Sequence, residues 1–422
     1  MSRAKHVHFI GIGGIGMSAL ARMLVHRGVT VSGSDSAQSE LTKTLENEGM
    51  SITYQQVAEN ITGKIDFVVY TDAMAQDSEE LTAAREAGIT TMSYFETLGE
   101  VAKDYKVVAV AGTHGKTTTT AMTAQALIQA GLDPTVIVGS LMDFGDGIQT
   151  NFKAGKSRYL IVEACEYKRH FLHLHPHILA ITNVELDHPD YYKDLADVED
   201  AFAELASKSN MVLTERTMQN NLLSVPDLKV PGEYNKQNAA LALAICDQLR
   251  NELKDDHAGV EIDMQVVKKA LENFTGTWRR FEYKGKTQRG ALVYDDYAHH
   301  PTAIKKMLKG AREKFGDAKI IAVFESHTYS RTGELMNDFA QSFNDADEII
   351  ITPIYAAREE KLEGVSAKIL AEKISAYTKK VQNTDTLEDA VIQANKLAQD
   401  GDVIVFMGAG NIYRLVDSII QK

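Results

Sequence analysis

Short apolar runs closed by glycine or by a polar cluster recur along the chain. Val7–Ile10, Phe67–Tyr70, Val107–Val110, Tyr159–Val162, Ile178–Thr182, Leu292–Tyr294, Ile320–Phe324, Ile349–Thr352 and Val403–Met407 are such runs. Their hydrophobicity is continuous rather than alternating, which predicts strands covered on both faces. Helix-like stretches separate most of them; one runs from Met17 to His26 and stops at Gly28. This alternation predicts an α/β fold with mainly parallel sheets.

Three places share one local grammar: apolar run, glycines, helix-like stretch. They are Gly11-Ile12-Gly13-Gly14-Ile15-Gly16, Gly112-Thr113-His114-Gly115-Lys116-Thr117 and Gly408-Ala409-Gly410-Asn411. The polar stretch Glu96–Tyr105 precedes the second, and Asn273–Thr277 precedes the cluster Trp278-Arg279-Arg280. Boundaries near 103 and 276 divide the 422 residues into domains 1–103, 104–276 and 277–422, the number expected at about 150 residues per domain.

Composition narrows the class. Apolar residues make up 44% and charged residues 24% of the chain, an ordinary globular mix. No apolar run approaches the ~20 residues of a membrane span, so no membrane role is expected. The start has neither an h-region nor a cleavage site, so export is not expected either. A net charge of −13 argues against a dedicated nucleic-acid binder. It leaves phosphate ligands open, because local N–H groups and a few cations hold those. Only Cys165 and Cys246 occur, with no CxxC pair, which fits a reducing compartment.

The first glycine segment is a GxGxxG after a predicted strand, and the next strand, Val29–Ser32, leads to Asp35, nineteen residues beyond Gly16. Glycines let the backbone approach a pyrophosphate, and an acid at that distance meets a ribose hydroxyl. The motif fits NAD or any other diphosphate nucleotide. A tight turn without ligand is the plainer alternative.

The second segment ends in the GK[ST] of a P-loop, although Val110 stands where the generic motif has its first glycine. Gly112 and Gly115 free backbone N–H groups for phosphates, Lys116 supplies a point charge, and Thr117 supplies a hydroxyl for Mg²⁺. Glu163 and Glu166 end one apolar strand, while Asn183, Glu185, Asp187 and His188 follow another. Ligands of open α/β sheets collect at that edge, so Glu163 is a candidate for the metal.

The whole pattern resembles the Mur ligase family. The resemblance rests on His8–Ser18, on Gly112–Thr118, on Asp295-Asp296-Tyr297-Ala298-His299-His300-Pro301 and on Gly408–Gly410. It implies an N-terminal Rossmann-like domain for a UDP-sugar, a central P-loop ATPase and a C-terminal Rossmann-like domain that brings an amino acid. The ligand of Gly11, Gly13, Gly14, Gly16 and Asp35 would then be UDP. The implied activity is that of a cytoplasmic ATP-dependent acid–amino-acid ligase. It would phosphorylate the carboxylate of UDP-N-acetylmuramate and pass the acyl group to L-alanine.

The resemblance also assigns residues. Gly112, Thr113, His114, Gly115, Lys116, Thr117 and Thr118 would hold ATP, with Asn235 and Asn238 at the adenine and Arg279, Arg280 and Asp295 completing the nucleotide site. Thr117 and Glu163 would hold one Mg²⁺, and His188 would hold a second nearer the acyl phosphate. His299, His300, His327 and Arg331 would line the amino-acid site, with Arg331 on the carboxylate; a zinc site on His299-His300 lacks a third ligand at metal spacing.

Three departures stand out. Glu163-Ala164-Cys165-Glu166 carries a cysteine where the family has an acid. His327-Thr328-Tyr329-Ser330-Arg331-Thr332 lacks an arginine at Thr328. Ala201-Phe202-Ala203 has no lysine where several later Mur ligases carry a carbamylated one. The last feature favours the alanine-adding branch or the related murein tripeptide ligases. An NAD-dependent oxidoreductase and a non-catalytic nucleotide-gated protein are the readings from other classes.

Overall fold

The computed structural model describes residues 4–255, 261–357, 359–378 and 380–421. It contains three sheets, one for each glycine-punctuated segment. The first comprises β1 (His6–Ile10), β2 (Thr30–Ser34), β3 (Ser51–Thr53), β4 (Phe67–Tyr70) and β5 (Thr90–Ser93). Its order is β3-β2-β1-β4-β5 and every pair is parallel. Strand order reverses between β1 and β4, and the glycine loop Gly11–Gly16 opens there, where ligands of such sheets bind.

The second sheet comprises β6 (Lys106–Ala111), β7 (Thr135–Asp143), β8 (Gln149–Lys153), β9 (Tyr159–Glu163), β10 (Ile178–Ile181) and β11 (Met211–Leu213). The order is β11-β10-β6-β9-β7-β8, parallel except for the hairpin β7–β8. The third sheet comprises β12 (Glu282–Lys286), β13 (Leu292–Asp296), β14 (Ile320–Glu325), β15 (Glu348–Ile351), β16 (Val381–Asn383) and β17 (Val403–Gly408). Its order is β12-β13-β17-β14-β15-β16, with only β12 antiparallel.

The apolar runs form the central strands for the reason their patterning gave. In β14, Ile320, Ala322 and Phe324 pack into one core, while Ile321 and Val323 pack into the core on the opposite face. β17 divides in the same way, with Val403, Val405 and Met407 against Ile404 and Phe406. Two-sided burial demands apolar residues at both parities of the strand. Each Val, Ile, Phe or Met side chain among them, fully buried, stabilises the fold by about 1.5–3 kcal/mol.

The chain divides into two compact units. The first is Met1–Glu185, Ala196–Val225 and Ala239–Leu271, and the second is Leu186–Leu195, Pro226–Asn238 and Glu272–Lys422. The first unit holds two sheets, joined by a buried polar contact. Asn151 of β8 donates to Ser18 Oγ at 2.8 Å and to the carbonyl of Ile15, and it accepts from Arg22. Arg22 in turn pairs with Glu48 at 2.8 Å. The helix Ile15–His26 that follows the first glycine loop is thereby fastened to the β7–β8 hairpin.

Candidate active site

The P-loop lies between β6 and the helix Lys116–Gln129. Gly115, with φ of 86°, takes the N-cap position and no side chain caps the helix. Only glycine adopts this conformation without strain. The helix start is left without a side-chain cap, and the positive end of the helix dipole lies there, an environment that suits an anion. Gly112 (φ 134°) is fixed by packing as well, since a Cβ there would lie 2.0 Å from Thr182 Oγ1. The loop is braced from the segment that follows β10: the Thr113 N–H donates to Asn183 O and the His114 N–H to Asn183 Oδ1, both at 3.0 Å.

Lys116 Nζ donates to Gly112 O at 2.6 Å, to Thr113 O at 3.2 Å and to Glu166 Oε1 at 2.9 Å. Burial opposes its charge. Glu166, Cys165 and Glu163 outweigh that and raise its pKa, so the ammonium stays charged. Thr117 Oγ1 donates to Glu163 Oε1 at 3.1 Å, and Glu163 Oε2 accepts from Gly139 N at 3.0 Å. Gly139 has to be glycine here, because a Cβ would stand 2.4 Å from that oxygen. A hydroxyl and a carboxylate side by side form a hard-oxygen donor set that suits Mg²⁺. Thr118, also expected at the nucleotide, is buried in the first turn of the helix. The Cys165 thiol is pushed up to about 12, mainly by burial, which disfavours its thiolate form.

In the first glycine loop, Asp35 has partners within the loop and beside it. Asp35 Oδ2 accepts from the Gly13 N–H at 2.8 Å, and Oδ1 accepts from Ser36 N at 2.8 Å. The acid expected at a ribose therefore supports the loop itself. Gly11 (φ 83°) and Gly16 are forced by close neighbours: a Cβ would meet the Thr71 methyl at 2.5 Å and the Tyr94 ring at 2.7 Å, respectively. The Gly14 N–H donates to Gly11 O at 3.3 Å, closing the turn.

The third glycine turn is filled by the protein's own carboxylate. Glu325, at the end of β14, accepts from the N–H groups of Asn411 and Ile412, the latter at 2.8 Å. A Cβ on Gly410 would lie 2.5 Å from Glu325 Oε2, and one on Gly408 (φ 144°) would lie 2.4 Å from Glu325 O. Arg279 is drawn into the same structure. Its Nε donates to Asp295 Oδ2 at 3.1 Å, Nη2 donates to Gly408 O, and the Tyr413 ring lies 4.2 Å away. Both Arg279 and Asp295 are buried, and Asp295 Oδ1 has no hydrogen-bond partner among the described residues. The arginine and aspartate expected at the nucleotide thus support each other. Arg280 packs over the Tyr297 ring at 5.1 Å.

The remaining expected residues belong to the second unit. Asn235 Nδ2 donates to Pro231 O at 2.7 Å, and Asn238 Nδ2 lies 3.3 Å from Asn235 Oδ1. The two amides expected at adenine are therefore neighbours on one helix face. His300 accepts from Thr302 N at 3.3 Å and caps the helix Pro301–Phe315, a structural task the sequence reading did not give it. His299 and His327 lie with ring centroids 6.0 Å apart. Burial and Arg331 push both imidazoles down, His327 to about 4, so they are neutral near pH 7.

Arg331 does not stand alone. Its Nε and Nη2 donate to Asp187 Oδ1 at 3.2 and 2.9 Å, and Nη1 lies 3.3 Å from His327 Nδ1. Burial raises the Asp187 pKa. Arg331 and the neighbouring histidines outweigh that and hold the carboxyl well below the usual aspartate range. His188 follows in a left-handed conformation (φ 56°), its N–H on Asp187 Oδ1 at 2.7 Å. A non-glycine residue held there stores about 1 kcal/mol or more, a cost common at functional sites. The structure thus brings Thr117 and Glu163 together, whereas His188 is built into the other compact unit. Asp187 was legible only as one member of an acidic cluster.

Comparison with known proteins follows the same three segments. Family models for the Mur ligase family catalytic domain, the Mur ligase middle domain and the Mur ligase glutamate ligase domain match residues 6–106, 110–220 and 279–410. The UDP-N-acetylmuramate–L-alanine ligase of Clostridium kluyveri is 37% identical over 99% of this chain and 98% of its own. That of Acetivibrio thermocellus is 38% identical over 100% of this chain and 96% of its own. Among solved structures, the UDP-N-acetylmuramate–alanine ligase of Thermotoga maritima superposes with a TM-score of 0.81 at 28% identity, covering 99% of this chain and 98% of that one. A murein peptide ligase from Psychrobacter arcticus, at 23% identity and a TM-score of 0.67 over 98% of both chains, shares the fold.

Proposed function

The chain belongs to the Mur ligase family, and from that premise we propose that it joins L-alanine to UDP-N-acetylmuramate at the expense of ATP, in peptidoglycan precursor synthesis. The observation that carries the reading is the cluster Lys116–Thr117–Glu163–Glu166 at the end of the P-loop, with its charged lysine and paired oxygen donors. A carboxylate is a poor acyl donor because its leaving group would be an oxide. Transfer of the γ-phosphoryl of ATP gives an acyl phosphate, from which phosphate leaves when an amine attacks. The protein's task is to position the partners and neutralise charge.

Each group has a place in that scheme. The N–H groups of the Gly115–Thr117 turn would cradle phosphates, with Lys116 bridging the β- and γ-groups. Thr117 and Glu163 would hold Mg²⁺, which supplies positive charge to the transferring group, and His188 is the further ligand the family pattern assigns. Gly11–Gly16 would hold the UDP diphosphate at a helix start, in a loop that Asp35 keeps in shape. Asn235 and Asn238 would face adenine, and Arg280 would meet the nucleotide while Arg279 stays with Asp295. Arg331 would receive the amino acid's carboxylate beside the neutral His299 and His327, which add no positive charge to repel its ammonium group.

No helix of the described residues is long and apolar enough to cross a membrane, and the two cysteines are free. The cytoplasm, where ATP and sugar nucleotide are available, is the setting we propose. The dehydrogenase reading of the first glycine loop gives way to the family membership of the entire chain. Phosphate release measured over a panel of amino acids and peptides tests the proposal. Release is expected with UDP-N-acetylmuramate and L-alanine together and with neither alone. Release with an intact tripeptide but not with L-alanine would move the protein to the recycling ligases.

A further inference from the structure

We infer that Asp187 is a positioning residue that aims Arg331 at the carboxylate of the incoming amino acid, an inference that rests on the acceptor-binding role proposed above for Arg331. A guanidinium offers two hydrogen-bonding edges: the side formed by Nε and one Nη, and the end formed by both Nη groups. Asp187 takes the side edge with a single oxygen, Oδ1, at 3.2 Å from Nε and 2.9 Å from Nη2. His327 Nδ1 stands 3.3 Å from Nη1. With the side edge engaged, the Nη1–Nη2 end is the edge aimed for two-oxygen recognition of a carboxylate.

The pair is built rather than incidental. The two side chains are 7% and 8% exposed, and 144 positions separate them in the chain. A buried guanidinium without a counter-charge is strongly disfavoured, so Asp187 both secures Arg331 in this place and fixes its rotation. The same oxygen accepts the His188 N–H at 2.7 Å. One carboxylate oxygen therefore sets the arginine proposed for the acceptor and the strained turn that carries His188. A ligase has to place amine and acyl phosphate in register, and a shared anchor of this kind does so without touching either substrate.

Loss of a salt bridge that only stabilised the fold would lower Tm and the active fraction and leave every KM where it was. Positioning predicts a split. Asp187→Asn is expected to raise KM for L-alanine by about tenfold or more while KM for ATP and for UDP-N-acetylmuramate stay within about twofold. Asp187→Glu, which keeps the charge, should recover part of the lost affinity. Combined with Arg331→Lys, Asp187→Asn should add little further loss, as expected for residues acting on one interaction. An unchanged KM for L-alanine in Asp187→Asn, or equal increases in all three KM values, would overturn the inference. If the parent enzyme consumes a different amino compound, the proposed acceptor is wrong, and the same KM comparison is made with the compound it uses. An acceptor lacking a free carboxylate would overturn the role of Asp187 itself.

Discussion

The loops at Gly112–Thr117 and Gly408–Asn411 start from one sequence grammar and end with opposite contents. Each follows a buried parallel strand, and each carries at least one glycine at positive φ. In the second loop of the chain, a glycine N-cap leaves the helix start to an anion from outside, with Lys116 beside it. In the third, the N–H groups of Asn411 and Ile412 already hold Glu325. Backbone N–H groups attract an anion in either case; which anion arrives decides between catalysis and architecture. A glycine-rich loop after a strand is therefore a statement about backbone geometry, and function has to be read from what fills it.

Substitutions at the two loops should separate these roles. The largest effect is expected for Lys116→Ala, with turnover falling by about a thousandfold or more. Affinity for UDP-N-acetylmuramate, measured by calorimetry on the folded protein, should stay close to that of the parent. Glu163→Gln comes next, at about a hundredfold in kcat, since it removes a charge from the expected metal site. Equal loss of sugar-nucleotide binding in either variant would contradict the separation of the two sites.

The third loop should respond in the other currency. Gly408→Ala forces a Cβ to within 2.4 Å of Glu325 O at a positive φ, and about 2 kcal/mol or more of unfolding free energy should be lost in urea titrations. ATP affinity should change little, because Glu325 already takes the N–H groups of this turn. A Gly408→Ala protein of parental stability would break the comparison.

The smallest effect concerns pH. Burial holds the Asp295 carboxyl up at about 6 in spite of Arg279. The folded protein thus binds this proton more tightly than the unfolded chain. The associated stability is fully present below the ordinary aspartate pKa and is lost as pH rises through about 6. The Tm of the parent relative to Asp295→Asn should accordingly decline between about pH 4 and pH 7. A rise over that interval would contradict the environment described for this residue.

Much of this was legible from patterning. The central strands announce themselves because two-sided burial writes continuous apolar runs, and the P-loop does so because its chemistry is local in sequence. What stayed hidden depends on contacts between distant positions. Nothing near Glu325 marks it as the occupant of a turn eighty-seven residues away. Nothing near Asp187 predicts Arg331, and an acid after a strand looks the same whether it binds metal, solvent or arginine. His300 reads as half of a reactive pair, yet it caps a helix because Pro301 follows it. The hairpin strand β8, Gln149–Lys153, is too short and polar to show a period, and its value lies in Asn151 and that residue's grip on Ser18.

The central claim is that ATP activates the sugar's carboxylate by phosphorylating it. UDP-N-acetylmuramate labelled with ¹⁸O in its lactyl carboxylate tests this directly when turned over with ATP and L-alanine. One labelled oxygen should appear in the released phosphate, and the sugar nucleotide should gain one alanine through an amide bond. Unlabelled phosphate, or phosphate released without a new amide, would contradict the account.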